Sequence, residues 1–128
     1  KVYEAKLNNT KVFLWGDGSP LREFTYSEDV AEIIIFLMKN YDGDRPINIG
    51  STKEYSIKQV AEMVCEVFNY QGQIEWQINS YRGQFRKPSN MSKLFNLGWS
   101  EDNFTDFKQA LYAVCNWFEK NYPNVRGC

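Results

Sequence analysis

The sequence predicts a small layered domain of the α/β class, with α+β character. Three observations carry that prediction: strand-like and helix-like stretches alternate, the connections between them are short, and no repeat or low-complexity linker divides the 128 residues. A chain of this length makes one domain, residues 1–128, and can bury roughly two thirds of its unfolded surface.

The elements follow in order. Residues 1–10 read as the end of a helix broken at Asn8-Asn9, an opening expected of a piece of a longer protein. Lys11 to Trp15 is strand-like, and Gly16-Asp17-Gly18-Ser19-Pro20 is a turn, because Asp-Gly takes positive φ readily and Pro ends a ladder. A short strand over Arg22 to Tyr26 comes next, then a helix capped by Ser27 and running to about Asn40, with Glu28 and Asp29 in its first turn, where the helix dipole favours carboxylates. From Val30 to Met38 every position except Glu32 is apolar, the pattern of a helix covered on several sides. That cover comes either from a further domain packed here or from an internal sandwich or homodimer seam.

Asp42-Gly43-Asp44 makes a turn and Pro46 to Gly50 reads as a short buried strand. Ser56 to Gln59 matches a capping box, and Ile57, Val60, Ala61, Val64, Val67 and Phe68 then recur along one helical face. Ile74 to Ile78 alternates like a strand, and residues 79–90 are polar and loop-like. Ser92 caps a short helix through Leu97 that Gly98 ends, and Thr105 caps the last helix, whose stripe is Phe107, Ala110, Leu111, Val114, Cys115 and Phe118.

Composition narrows the function. With 15 basic and 16 acidic residues the net charge is −1, so the broad basic surface that nucleic acids need is missing. No apolar run is long enough for a bilayer span, and no membrane partner is expected. There is no histidine, and the 3 cysteines form no CxxC pair, so no metal site is expected. Cys65 and Cys115 read as small core fillers in a reducing, cytoplasmic setting, and Cys128 as a free terminal thiol.

No histidine base, glycine-rich phosphate loop or nucleophile elbow is present, so no catalytic residue and no cofactor-binding residue is assigned. Two loops pair aromatic with cationic residues instead: WGDGSPLR at 15–22 and YRGQFRK at 81–87. Such loops suit a nucleoside diphosphate, since a flat ring such as Trp15 stacks on a base while guanidinium and ammonium groups meet phosphates. Each residue also has a plainer reading: Trp15 as a partly buried packing residue, Arg22 as a surface ion pair with Glu23, Arg86 and Lys87 as a solvated loop, Glu28 and Asp29 as servants of the helix dipole.

The stretch VFLWGDGSPLREFTYSEDVAEIIIFLMKNYDGDRPINIGS resembles the C-terminal half of extended short-chain dehydrogenases acting on sugar nucleotides. Within them the order GDGSPLREF, INIG, SIKQVAEMV, GQFRKPSNMSKL and FTDFKQALYAVCNWFEKNY is similar to the GDP-L-fucose synthase family along essentially the whole chain. The resemblance implies a substrate-binding domain whose parent enzyme converts GDP-4-keto-6-deoxymannose to GDP-L-fucose with NADPH. It further implies an N-terminal Rossmann domain that carries NADP and the catalytic groups and is missing from this chain, and a homodimeric parent. Trp15 and Arg22 match the family's WGxGxPxR substrate contacts and Lys87 the lysine closing GxxxK, with Arg86 beside it. One departure stands out: the family usually has an acid before the glycine at 83, and this sequence has Arg82. That reversal leaves open a different sugar nucleotide handled by a related epimerase, dehydratase or reductase, or a non-catalytic dimerisation module.

Overall fold

The computed structural model describes residues 1–78 and 83–126. Helix α1 (Val2–Asn8) leads to β1 (Val12–Trp15), β2 (Leu21–Glu23), α2 (Ser27–Asn40), β3 (Glu54–Ser56), α3 (Ile57–Val67), β4 (Ile74–Gln77), α4 (Ser92–Asn96) and α5 (Phe107–Asn121), with a 3-10 turn at Glu101–Asn103. The predicted alternation is what forms. Among the described residues the strands make two separate ladders: β1 beside β4, parallel, and β2 beside β3, antiparallel.

The main core gathers Val2 and Ala5 of α1, Val12 of β1, Phe68 and Tyr70 after α3, and Cys115 of α5. Tyr3, Phe68 and Phe118 pack ring against ring at 5.2–6.5 Å on its flank, in the tilted and edge-on arrangements that aromatic quadrupoles favour. Elsewhere Ile33 of α2 and Leu94 of α4 are fully buried, and Trp99 packs edge-on against Phe36 and Phe104. Cys65 and Cys115 are free thiols that burial pushes upward in pKa, in keeping with packing roles; Cys128 lies outside the described residues.

Local signals were mostly obeyed. Asn9 closes α1 at φ 52°, a left-handed position that asparagine tolerates. The Ser56 capping box is complete, with Ser56 Oγ accepting from Gln59 N–H and Gln59 Oε1 from Ser56 N–H. Five expectations need correction. Ser27 and Ser92 lie inside α2 and α4, whose N-caps are Tyr26 and Met91, and the strand expected to reach Tyr26 ends at Glu23. Residues 46–50 form no strand; Lys93 Nζ donates to the Pro46 carbonyl, and the Asn48 side chain reaches away through Nδ2 to Asn90 O. The cap of α5 is Asp106, whose carboxylate accepts from Lys108 N–H and Gln109 N–H, while Thr105 donates to Asp29. Asp29 is therefore more than a dipole partner: buried, it receives Thr105 Oγ1–H at 2.6 Å and Thr105 N–H at 3.1 Å, tying the start of α2 to the start of α5.

The apolar helix departs furthest from expectation. Only Asp29 and Ile33 of α2 are buried, and Ile34, Ile35 and Met38 lie exposed, Met38 by 81%. Among the described residues no internal sandwich buries that face. On α5, Val114 and Trp117 are exposed as well and border a groove with Tyr26, Ser27 and Glu28. No helix among the described residues is long and apolar enough to cross a membrane.

Candidate functional site: two loops at the end of the parallel ladder

Because β1 and β4 run parallel in the register Val12↔Ile74 to Trp15↔Gln77, both release their chains at the same edge. In open α/β sheets that carboxyl edge is where ligands bind. β1 leads into residues 16–20, and β4 leads through residues 79–82, outside the described set, into residues 83–90.

Trp15 ends β1 with 72% of its surface exposed, which overturns its reading as a packing residue. Its ring already receives a cation, the Lys1 ammonium 5.4 Å from the centroid. The 16–20 loop is rigid for reasons written in its residues. Gly16 and Gly18 take φ of 77° and 75°, and Asp17 Oδ1 accepts from Ser19 N–H and Ser19 Oγ–H. Its carbonyls then close the start of α3: Pro20 O accepts from Ile57 N–H and Gly18 O from Lys58 N–H. With Ser56 serving Gln59, the first three amides of that helix are satisfied, so α3 offers no open N-terminal anion site.

Arg22 anchors the second loop. Its Nη1 donates to Leu21 O at 2.5 Å and Phe85 O at 3.3 Å, and its Nη2 to Gln84 O at 2.7 Å, while Leu21 N–H donates to Phe85 O at 2.8 Å. The ion pair with Glu23 does not form; the Glu23 carboxylate accepts from Ser89 N–H instead. Arg86 is not a free loop cation either, since Nε and Nη2 both close on Glu54. Lys87 is exposed and makes no hydrogen bond or ion pair among the described residues. Arg22 of β2 thus fastens the loop that carries Arg86 and Lys87, and Trp15 stands at the head of the other loop. Tyr81 and Arg82 lie outside the described residues.

Sequence reasoning missed Glu54, whose only sequence signal was a carboxylate directly ahead of a capping box. The hydrogen bond from Arg86 holds its carboxyl below the ordinary glutamate range, against a smaller opposing push from burial. A carboxyl lowered on folding adds stability that is present above its unfolded value and lost as pH falls through its folded one. We therefore expect the 83–90 loop to loosen as pH drops below about 4; amide exchange at Ser89 followed across that range checks it.

Two other features are poorer sites. The pocket bounded by Phe24, Tyr26, Asp29, Tyr55, Thr105 and Phe107 holds about 30 Å³, too little for a sugar or a base. Among the described residues no group of three or more His, Cys, Asp or Glu side chains could hold a metal ion.

Comparison with known proteins supplies the lineage. The model of the NAD dependent epimerase/dehydratase family matches residues 1–50. A probable GDP-L-fucose synthase of Oryza sativa is 38% identical over 98% of this chain, and GDP-L-fucose synthase 1 of Arabidopsis thaliana is 38% identical over 97%. This chain is a relative of the GDP-L-fucose synthases. A crystal structure of a GDP-L-fucose synthetase from Naegleria fowleri bound to NADP superposes with a TM-score of 0.92, at 34% identity, over 98% of the chain. Its fold is accordingly part of the extended epimerase/reductase architecture. The chain spans about two fifths of the length of the relatives it matches: 38% of each plant protein and 39% of the amoebal one.

Proposed function

We propose that this chain is the substrate-binding part of a GDP-L-fucose synthase-like enzyme, C-terminal to the part that carries NADP, and that it holds a GDP-sugar between the 16–20 and 83–90 loops. The observation that carries the reading is Trp15, exposed at the carboxyl end of the parallel ladder, with the loop that follows β4 fastened by Arg22, seven residues after Trp15. Trp15 stacks on the base or ribose, Lys87 meets the diphosphate, and Arg22 fixes the second loop and turns its remaining N–H groups toward the anion. Binding energy gathered on the nucleotide would then hold the sugar against catalytic groups of the parent enzyme.

In this reading NADP, which the Naegleria protein binds, belongs to the preceding part of the parent enzyme; among the described residues none of the glycines with positive φ, at 16, 18, 50 and 98, opens a helix in the way a phosphate-binding turn does. The exposed apolar residues of α2 and α5 support a nucleotide-binding domain packed against this chain, in a parent that is a cytoplasmic homodimer converting GDP-4-keto-6-deoxymannose to GDP-L-fucose.

Calorimetric titration with GDP, UDP and dTDP tests the reading. GDP is expected to bind best, and Trp15→Ala to weaken it by about tenfold, the loss of one stacked base, without changing the melting temperature. Equal binding of the three nucleotides, or a Trp15→Ala variant that binds GDP normally, overturns it.

A further inference from the structure

In the β2–β3 ladder Glu23 and Glu54 are register partners, so two carboxylates stand directly opposite each other. Like charges placed that way weaken a strand pair. Each acid is met from one segment, residues 83–90: Arg86 reaches Glu54 through Nε at 2.8 and 3.0 Å and Nη2 at 2.5 Å, and Ser89 N–H reaches Glu23 at 2.9 Å. The Glu54 side chain is 12% exposed and that of Arg86 57%, so the carboxylate is the fixed member and the guanidinium comes to it. Residues 83–90 contain no helix or strand of their own, and these contacts, with those of Leu21 and Arg22, set their course.

We infer that Glu54 is a positioning residue: through Arg86 it holds the 83–90 loop so that Lys87 can meet the phosphates of a nucleoside-diphosphate sugar, and Arg86 serves the loop and not the ligand. The inference rests on the binding reading proposed above. Its logic is that a carboxylate next to an anion site is electrostatically unfavourable and is explained by what it holds in place. Exposed ion pairs are worth little in general, but a two-pronged guanidinium–carboxylate contact with one partner largely covered is the exception.

Glu54→Gln separates the alternatives, because charge and position push in opposite directions. If Arg86 bound phosphate, the substitution would remove an anion and free a cation, and GDP would bind tighter. The positioning role predicts that GDP binds about fivefold more weakly, and that the amides of Leu21 and Ser89 exchange about fivefold faster while those of α3 and α5 are unchanged. Exchanging the charges, with Glu54→Arg and Arg86→Glu in one chain, should recover part of both losses. Unchanged exchange at Leu21 and Ser89, or GDP affinity in Glu54→Gln equal to or above that of the parent chain, overturns the inference. A parent chain that binds no GDP overturns the functional reading, and the exchange experiment, which needs no ligand, still decides whether Glu54 holds the loop.

Discussion

Gly18→Ala is expected to destabilise the chain by about 3 kcal/mol or more, well beyond Gly16→Ala at about 1 kcal/mol. Both glycines sit at positive φ, 75° and 77°, so both substitutions carry the backbone penalty. Only Gly18 has neighbours: an added Cβ would stand 2.5 Å from Cη2 and 2.8 Å from Cζ2 of Trp76, and 2.9 Å from Cβ of Lys58. Around Gly16 nothing lies within 4 Å. The indole belongs to β4 and the lysine to the first turn of α3, so making room for a methyl group displaces the loop from both. Urea unfolding of the two variants checks the comparison. Equal losses would mean that the 16–20 loop is not packed on Trp76 as described.

Asp29→Ala comes second, with an expected loss of about 2–3 kcal/mol. The substitution removes two hydrogen bonds and leaves the Thr105 amide without its acceptor at a site that is 4% exposed. It also removes a carboxylate from the first turn of α2, where the helix dipole favours one. Thr105→Val deletes only the hydroxyl bond and should cost about 1 kcal/mol. Were Asp29 serving the dipole alone, Thr105→Val would be silent and Asp29→Ala would cost a few tenths of that.

These two sites also mark the boundary of what the sequence discloses. The Ser56 capping box, the Asn9 break and the Asp-Gly turn depend on residues within four positions, and each was legible. Strand β4 and the face of α3 followed from periodicity. What escaped depends on distant partners. Thr105 and Asp106 are both good caps by type, and only the presence of Asp29, 76 residues earlier, diverts the threonine and leaves the aspartate to cap α5. Arg22 beside Glu23 reads as a surface pair until Gln84 and Phe85, 62 and 63 residues on, present their carbonyls. Residues 46–50 have strand composition, yet no described strand pairs with them, and the Pro46 carbonyl is taken by Lys93, 47 residues on. For the proposed site, the two loops and Trp15 are candidates by residue type, whereas the protein acceptors that engage Arg22 and Arg86 lie too far along the chain to be read there.

That division matters for how an anion site is recognised. Three cations near one loop suggest three phosphate ligands. In this chain two guanidinium groups are largely engaged with protein acceptors, and Lys87 alone among the three makes no hydrogen bond or ion pair among the described residues. The energetic sense is that a loop must be ordered before it can bind, and arginine, with its planar set of donors, orders carbonyls and carboxylates better than lysine does.

The most direct test of a GDP-sugar site at the end of the parallel ladder is an amide and indole chemical-shift titration of the chain with GDP. The account predicts that the Trp15 indole and the amides of residues 16–22 and 83–90 move together, saturating with one affinity. Shifts confined to the α2 and α5 face, or no shifts at all, would contradict it.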